Sequence, residues 1–206
     1  AVPQFDYMRV VSSLIVLLLI STLGCDNVFV DAPFGDPLPD RTLESFRGTW
    51  ADKQGNVYFV EVAAKSDLVV GFTKWNSKTD AFETQSVPVS IRTVQNRTFL
   101  FIPPDTHKED RLVFVWLSDI QDGRIYGRAC NPDAFREAVL SGTLGGQVVR
   151  RKNDHFNVRL EASDQLGAFL ASPDGASFFD EQNDQPLRRL AFRADGEPAD
   201  AREPPN

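Results

Sequence analysis

Hydrophobic and polar residues alternate through the middle of the chain, from Val57 to Ala129, in short runs separated by turn-forming residues. In the first run, Tyr58, Val60 and Val62 fall on one face, which is typical of a strand with one buried side. Turn formers such as Asp122-Gly123 stand between the runs. We predict strands at residues 57–64, 68–76, 81–94, 97–102, 111–119 and 124–129. Antiparallel strands in this number either close into a barrel or split into a sandwich.

The period of the pattern lengthens after residue 130, where two helices are predicted. Asn131 is placed to cap the first helix, with Pro132 at its first position, and Ser163 is placed to cap the second. Each helix carries one apolar stripe, formed by Phe135, Ala138 and Val139 and by Leu166, Phe169 and Leu170. Strands are predicted between the helices, at residues 147–152 and 156–162, and at the end, at residues 186–193.

The longest apolar run in the sequence lies near its start. Arg9 is followed by fifteen uncharged residues and then Cys25. A basic residue, an apolar run and a small-residue exit are the parts of a secretory signal peptide. A membrane-spanning helix is the weaker alternative, because fifteen helical residues cover only about 22 Å of a hydrocarbon layer about 30 Å thick.

The end of this run, Ser21-Thr22-Leu23-Gly24-Cys25, resembles a bacterial lipobox. The resemblance implies cleavage between Gly24 and Cys25 and acylation of Cys25, which would anchor the protein to the extracytoplasmic side of a bacterial membrane. The alternative is a secreted protein whose cysteine falls there by chance. Two acyl chains are enough for stable attachment to a bilayer, so a lipid-anchored Cys25 needs no other membrane contact.

The remaining segments set the expected domain limits. Met8 is the only methionine, so we expect residues 1–7 to be an upstream extension and residues 8–24 to be the signal peptide. Residues 25–40 hold three prolines and four aspartates after Cys25, which predicts a semi-stiff tether. Residues 41–193 are the expected barrel domain. Residues 194–206 lack large apolar side chains and are expected to be disordered.

A helical turn opens the predicted domain and leads to Gly48-Thr49-Trp50. We expect Asp40 to cap this turn and Gly48 to end it. Followed by a meander of strands, this arrangement resembles the start of a lipocalin-like barrel. The resemblance implies that Trp50 closes one barrel end against a basic residue of the last strand, Arg189 or Arg193. The predicted fold is therefore mainly β, an antiparallel up-and-down barrel of about eight strands with two short helices.

Three longer stretches resemble an uncharacterised group of bacterial envelope lipoproteins. They are FRGTWADKQGNVYFVEV, NPDAFREAV and VRLEASDQLGAFLASPDGASFFDE, and the resemblance covers most of residues 46–180. This resemblance implies location and fold, and it implies no activity.

The search for chemistry mainly returns absences in the sequence. It contains no glycine-rich phosphate loop, no GxSxG and no HExxH, so we predict no catalytic residues, no cofactor and no metal. His107 lies in a charged hairpin loop and His155 in a turn. Cys130 is expected to be a buried small hydrophobe, with a reactive or intermolecular thiol as the alternative. A net charge of −7 with no long basic run argues against nucleic acid.

Two functions from different classes remain. The first is a membrane-anchored, non-enzymatic interaction module of the cell envelope with a protein partner. The second is a binder of a small apolar ligand, suggested by the many aromatic residues. We rank the first higher because the interior of a small barrel is expected to be filled by side chains. The candidates for filling it are Phe59, Phe72, Phe82, Phe99, Phe101 and Phe114, and Gly71 is the residue that could leave space.

A short basic stretch, Arg150-Arg151-Lys152, forms the end of the strand predicted at residues 147–152. We expect a solvated strand end there, and a contact with lipid headgroups or a partner is the alternative.

Overall fold

The computed structural model describes residues 26–63, 67–76, 79–104, 111–121, 123–151, 154–180 and 186–190. Within these ranges the strands are β1 Asn27–Val30, β2 Asp36–Pro37, β3 Gly48–Ala51, β4 Val57–Val62, β5 Asp67–Asn76, β6 Ala81–Val94, β7 Arg97–Ile102, β8 Leu112–Gln121, β9 Arg124–Ala129, β10 Gly146–Arg150, β11 Phe156–Leu160 and β12 Leu187–Arg189. The helices are α1 Asp40–Glu44, α2 Pro132–Leu140 and α3 Asp164–Ala171, followed by a 3₁₀ helix at Asp174–Phe178.

Eight antiparallel strands form a closed barrel. Strands β3 to β9 follow one another in sequence order, and β12 fits between β9 and β3 to complete the ring. The predicted mainly β fold with an eight-stranded antiparallel barrel is therefore confirmed. The two predicted helices are α2 and α3, and the predicted helical turn is the short helix α1.

Apolar side chains fill the inside of the barrel. Inward positions alternate along the strands, as Tyr58 and Val60 do on β4. Leu43 and Phe46, from α1 and the turn after it, pack onto this core at one end. Every second residue of a strand points to the same side, so the alternation seen in the sequence places these residues together.

A second core lies outside the barrel wall. Strand β1 pairs with the first half of β8 and runs parallel to β11, which pairs with β10, so the sheet extends sideways from the barrel. Helix α2 packs on β10, β11 and β1 of this extension, and α3 packs against β6 of the barrel wall. The buried side chains of this core include Val28, Val30, Phe99, Phe101, Phe114, Phe135, Val158, Leu166 and Leu170. The insertion between β9 and β12 thus builds a second packing layer.

The segment predicted to be a tether is folded from Asp26 onward. Residues Asn27–Val30 form β1, and Phe34 and Leu38 are buried in the second core and the barrel core respectively. The prolines do not prevent this, because Pro37 lies in the two-residue strand β2 and Pro39 directly precedes α1. The folded domain therefore includes residues 26–40, and the expected start at residue 41 is corrected.

Local signals place the helix starts well. Asn131 Oδ1 accepts the Ala134 N–H at 3.2 Å, and Ser163 Oγ accepts the Leu166 N–H at 3.0 Å. The predicted capping role of Asp40 is wrong, because Pro39 is the cap residue and Asp40 is the first helical residue. Gly48 lies in β3 with a φ of 139°, so it does not end the helix in a left-handed turn.

Candidate functional site: the barrel end, the interior and the aromatic face

Trp50 closes one end of the barrel. Its side chain is only 2% exposed and belongs to the barrel core. The indole Nε1–H donates to the Phe46 carbonyl at 2.8 Å, which ties α1 to β3. A buried indole needs such an acceptor, because an unpaired N–H inside the core would cost stability.

Arg189 covers the outer side of the same barrel end. It is the ladder partner of Trp50, and its guanidinium carbon lies 5.8 Å from the centre of the indole ring. Its Nη2 donates to the Arg47 carbonyl at 2.5 Å. Two of the three residues predicted to pack at the barrel end are thus together. Arg193 lies outside the described residues, as do Gly24, Cys25 and His107.

The barrel interior is nearly full. Its cavity holds about 40 Å³ and is lined by apolar side chains, including Phe46, Trp50 and Leu117. Pockets for small ligands usually measure roughly 300–1,000 Å³, so this space is far smaller. Gly71 leaves no room there, because it lies beside Phe59 on the outer face of the barrel.

Only one of the six phenylalanines expected to fill the barrel does so. Phe72 lies in the barrel core, whereas Phe99, Phe101 and Phe114 point outward into the second core. Phe59 and Phe82 are 50% and 72% exposed. The reason is that β7 and β8 are buried on both faces, so their apolar runs supply both cores.

An exposed aromatic pair stands at the end of the β5–β6 hairpin. Trp75 and Phe82 are ladder partners, with ring centres 5.0 Å apart in an edge-to-face arrangement. They are 48% and 72% exposed. Strand β4 pairs with β5 only as far as Phe72, and β7 pairs with β6 only from Ser90. The hairpin end therefore extends beyond both of the described neighbouring strands.

The outward positions of this hairpin carry no charge from Val69 to Trp75 and from Phe82 to Pro88, whereas the outward ion pair of Asp67 and Arg92 lies at its other end. The uncharged outward residues are Val69, Gly71, Thr73, Trp75, Phe82, Thr84, Ser86 and Pro88. Phe59 on β4 continues the apolar surface, beside a shallow depression of about 420 Å³ that Glu61 also lines. We call Phe59, Val69, Trp75 and Phe82 the aromatic face. An exposed apolar area of this kind often marks an interaction site.

Polar groups occupy the opposite side of the same hairpin. Asn76 Nδ2 donates to Glu83 Oε1 at 2.6 Å. Strands of a soluble barrel ordinarily place polar residues outward, so the hairpin end reverses the usual pattern. This signal was present in the sequence, because Trp75 and Phe82 alternate with Asn76 and Glu83.

Cys130 is a partly buried thiol with a structural environment. Its Sγ lies 3.3 Å from the Phe114 carbonyl oxygen. Burial raises the pKa of the Cys130 thiol well above its ordinary value, and the nearby Asp180 carboxylate raises it further. Reactive cysteines have lowered pKa values. The environment is therefore the one expected for a small apolar residue.

Two arginines stack on Trp116 at the edge of the second core. The guanidinium carbons of Arg97 and Arg128 lie 4.3 and 4.9 Å from the ring centre. Arg97 also donates to the Leu170 carbonyl at 2.7 Å, so it joins β7 to α3. Burial, followed by the charge of Arg128, lowers the pKa of Arg97. These contacts indicate a structural role for the cluster.

His155 lies beside Asp26, the first residue that the structure describes. Its Nδ1 is 3.3 Å from Asp26 Oδ1, and the same oxygen accepts the Phe156 N–H at 2.7 Å. Within the described ranges, His, Cys, Asp and Glu side chains form no group of three suited to a metal ion. In that part of the chain, no helix has both the length and the hydropathy to span a membrane.

No protein-family profile, curated protein or solved structure matches the chain.

Proposed function

We propose that the protein is a lipid-anchored envelope protein whose barrel acts as a non-enzymatic interaction module. The anchor is acylated Cys25, on the extracytoplasmic side of a bacterial membrane, as the signal-like segment before it suggests. The partner is a second envelope protein that docks on the aromatic face. The observation that carries the interaction role is the exposed Trp75–Phe82 pair.

The uncharged end of the hairpin defines the chemistry of the partner. In a protein with a net charge of −7, the outward positions from Val69 to Trp75 and from Phe82 to Pro88 carry no charge. Charged residues are depleted at the centre of protein interfaces, and tryptophan and phenylalanine are enriched there. A partner with an uncharged apolar surface fits this region best.

The filled interior supports the same proposal. A cavity of about 40 Å³ holds little more than a water molecule, whose share of the liquid is about 30 Å³. A binder of a small apolar ligand would need several times that space. The barrel is better suited to act as a rigid support for its outer surface.

The anchor is tested by metabolic labelling with a fatty acid in a bacterial host. The wild-type protein should be labelled, and Cys25→Ser should be unlabelled and either released from membranes or left as a precursor. An unlabelled wild-type protein would refute the lipid anchor.

The partner is tested by placing a photo-crosslinking amino acid at position 82 in cells. The matched control is position 140, because Leu140 is a similarly exposed apolar residue, at 70%, outside the aromatic face. We expect a discrete protein adduct from position 82 only, which disappears with Trp75→Ser. Equal adducts at both positions, adducts with lipid, or a small molecule retained in native mass spectrometry would contradict the interaction module.

A further inference from the structure

The residue directly after the predicted lipidation site is already part of the folded domain. Asp26 accepts the Phe156 N–H at 2.7 Å, and the next residue, Asn27, starts β1. Strand β1 is held by a parallel ladder to β11, from Asn27–Asn157 to Val30–Leu160. A spacer of fifteen extended residues could have separated the domain from the membrane by up to about 50 Å. Because Asn27–Val30 is packed in the sheet, this segment does not serve as a spacer between the domain and the membrane.

We infer that the anchor fixes the orientation of the domain, with the β10–β11 hairpin on the bilayer and Arg150 and Arg151 in contact with anionic headgroups. This inference rests on the proposed acylation of Cys25. The two arginines are named the basal patch. The structure supports a headgroup contact because it places this patch close to Asp26, the residue that follows Cys25.

The ladder registers place the basal patch beside Asp26. Arg150 is paired with Phe156, and the Arg151 N–H donates to the His155 carbonyl at 2.6 Å. Since β10 is separated from β1 by β11 alone, the distance from Arg150 to the start of β1 is two strand spacings, about 10 Å. A lipid chain on Cys25 would therefore hold both arginines close to the headgroups.

The charges at this end favour an anionic surface. Arg150 and Arg151 are exposed. Asp26 is engaged by the Phe156 N–H and His155, and Asp133 is paired with Arg136 at 3.0 Å. Asp154 is the remaining exposed acid among the described residues of this turn. One arginine near an anionic bilayer typically strengthens binding about fivefold.

The aromatic face lies toward the opposite end of the sheet. Following the registers from β1 through β8, β7 and β6 places the Trp75–Phe82 pair on the order of 30 Å further along the strands than Asp26, at about 3.3 Å per residue. A domain seated on the membrane at Asp26 thus presents the aromatic face away from it. In this orientation the aromatic face is directed away from the lipid surface, where a protein partner can bind it.

The orientation is tested on full-length acylated protein in vesicles. A fluorophore is placed at Arg151→Cys or at Thr79→Cys, and nitroxide headgroup lipids quench it. The wild-type protein, which has no introduced cysteine, is the control for labelling of the native Cys130. We expect several-fold stronger quenching at position 151 than at 79. On neutral vesicles, where no anionic headgroups hold the basal patch, a sixteen-residue Gly/Ser insertion between Cys25 and Asp26 should largely abolish this difference.

The headgroup contact is tested in the protein with the insertion, since there the domain can leave the surface. The fluorophore is placed at Arg150→Cys, and its quenching reports the fraction of domains in contact with the vesicle surface. On vesicles with 30% anionic lipid, Arg151→Glu should reduce this fraction tenfold or more. On neutral vesicles it should have little effect. The control Lys53→Glu makes the same change of charge on an exposed turn at the opposite end.

Three outcomes overturn the inference: quenching at 79 that equals or exceeds quenching at 151, no effect of the insertion, or equal effects of Arg151→Glu and Lys53→Glu. Mass spectrometry of the same samples shows whether Cys25 carries a lipid. An unmodified Cys25 refutes the proposed anchor itself, whereas a modified Cys25 with unchanged quenching refutes only the orientation.

Discussion

Arg189 and Trp50 face each other across the ladder between β12 and β3, and the guanidinium lies over the indole at the closed end of the barrel. The pair joins the last described strand to the first strand of the barrel. It also reaches α1, through the Trp50 bond to the Phe46 carbonyl and the Arg189 bond to the Arg47 carbonyl. The Arg189–Trp50 contact therefore holds β12 and the segment after α1 to the same end of the barrel.

The first prediction is that Trp50→Ala lowers the free energy of unfolding by about 3–5 kcal/mol, as expected for removing a large aromatic side chain from a core. Arg189→Ala should cost about 1 kcal/mol, because a cation–π contact at an exposed position is worth about that much. Urea denaturation of both variants measures the difference. Equal losses of unfolding free energy in the two variants would show that Trp50 contributes no more to stability than Arg189 does.

The second prediction concerns Gly48, beneath the arginine. Its φ is 139°, and a Cβ there would lie 3.1 Å from Arg189 Nε and 3.3 Å from Nη2. Gly48→Ala should therefore cost about 1–3 kcal/mol through backbone strain and displacement of the guanidinium. The double variant with Arg189→Ala should lose less than the sum of the two single variants. Strict additivity would show that the close approach has no energetic consequence.

Much of the barrel is predictable because each part has a local cause. The limits of β6, β7 and β9 agree with the predicted runs, since alternation and turn residues are local properties. Alternation alone does not predict which face of a strand points into the barrel. Both faces of β5 are apolar, with Leu68 and Phe72 on one and Val69 and Trp75 on the other.

The second core was harder to predict, yet one signal for it is present. Strands β7 (RTFLFI) and β8 (LVFVWL) are almost continuously apolar, which is typical of strands buried on both sides. The parallel pairing of β1 with β11 has no local signature, because it joins residues far apart in the sequence. Proline and aspartate content therefore concealed a strand that long-range packing stabilises.

The third prediction tests whether the former tether is part of the core. Phe34 is buried, and its ring lies 5.2, 4.9 and 5.7 Å from those of Phe99, Phe101 and Phe114. Phe34→Ala should cost about 3–5 kcal/mol. The control Phe82→Ala removes the same side chain from an exposed site, where only the cross-strand pair with Trp75 is lost, and should cost about 1 kcal/mol or less. Similar losses in denaturant unfolding would contradict this packing.

The fourth prediction concerns Asp180. Burial raises the pKa of its carboxyl above the ordinary value of 3.8. The neutral form is therefore favoured by folding, and this stabilisation is fully present below the unfolded pKa and lost as the pH rises through the folded pKa. At pH 7 the ionised carboxylate lowers stability, so Asp180→Asn should unfold at a higher urea concentration than the wild type. A lower midpoint for Asp180→Asn would indicate that the carboxylate makes a favourable contact.

The last prediction links Cys130 to stability at alkaline pH. Burial, aided by the charge of Asp180, raises the pKa of the Cys130 thiol well above its unfolded value, so folding favours the protonated thiol. That stabilisation is complete below the unfolded pKa of about 8.5 and is lost as the pH rises through the folded pKa. Between pH 8 and 10 the unfolded chain ionises at Cys130 while the folded chain does not, so unfolding should become easier. Cys130→Ala should remove this part of the slope, and at pH 8 the native thiol should react with a disulfide reagent far more slowly than it does in denaturant. Rapid reaction of the native protein, together with an unchanged slope in Cys130→Ala, would identify Cys130 as a reactive thiol.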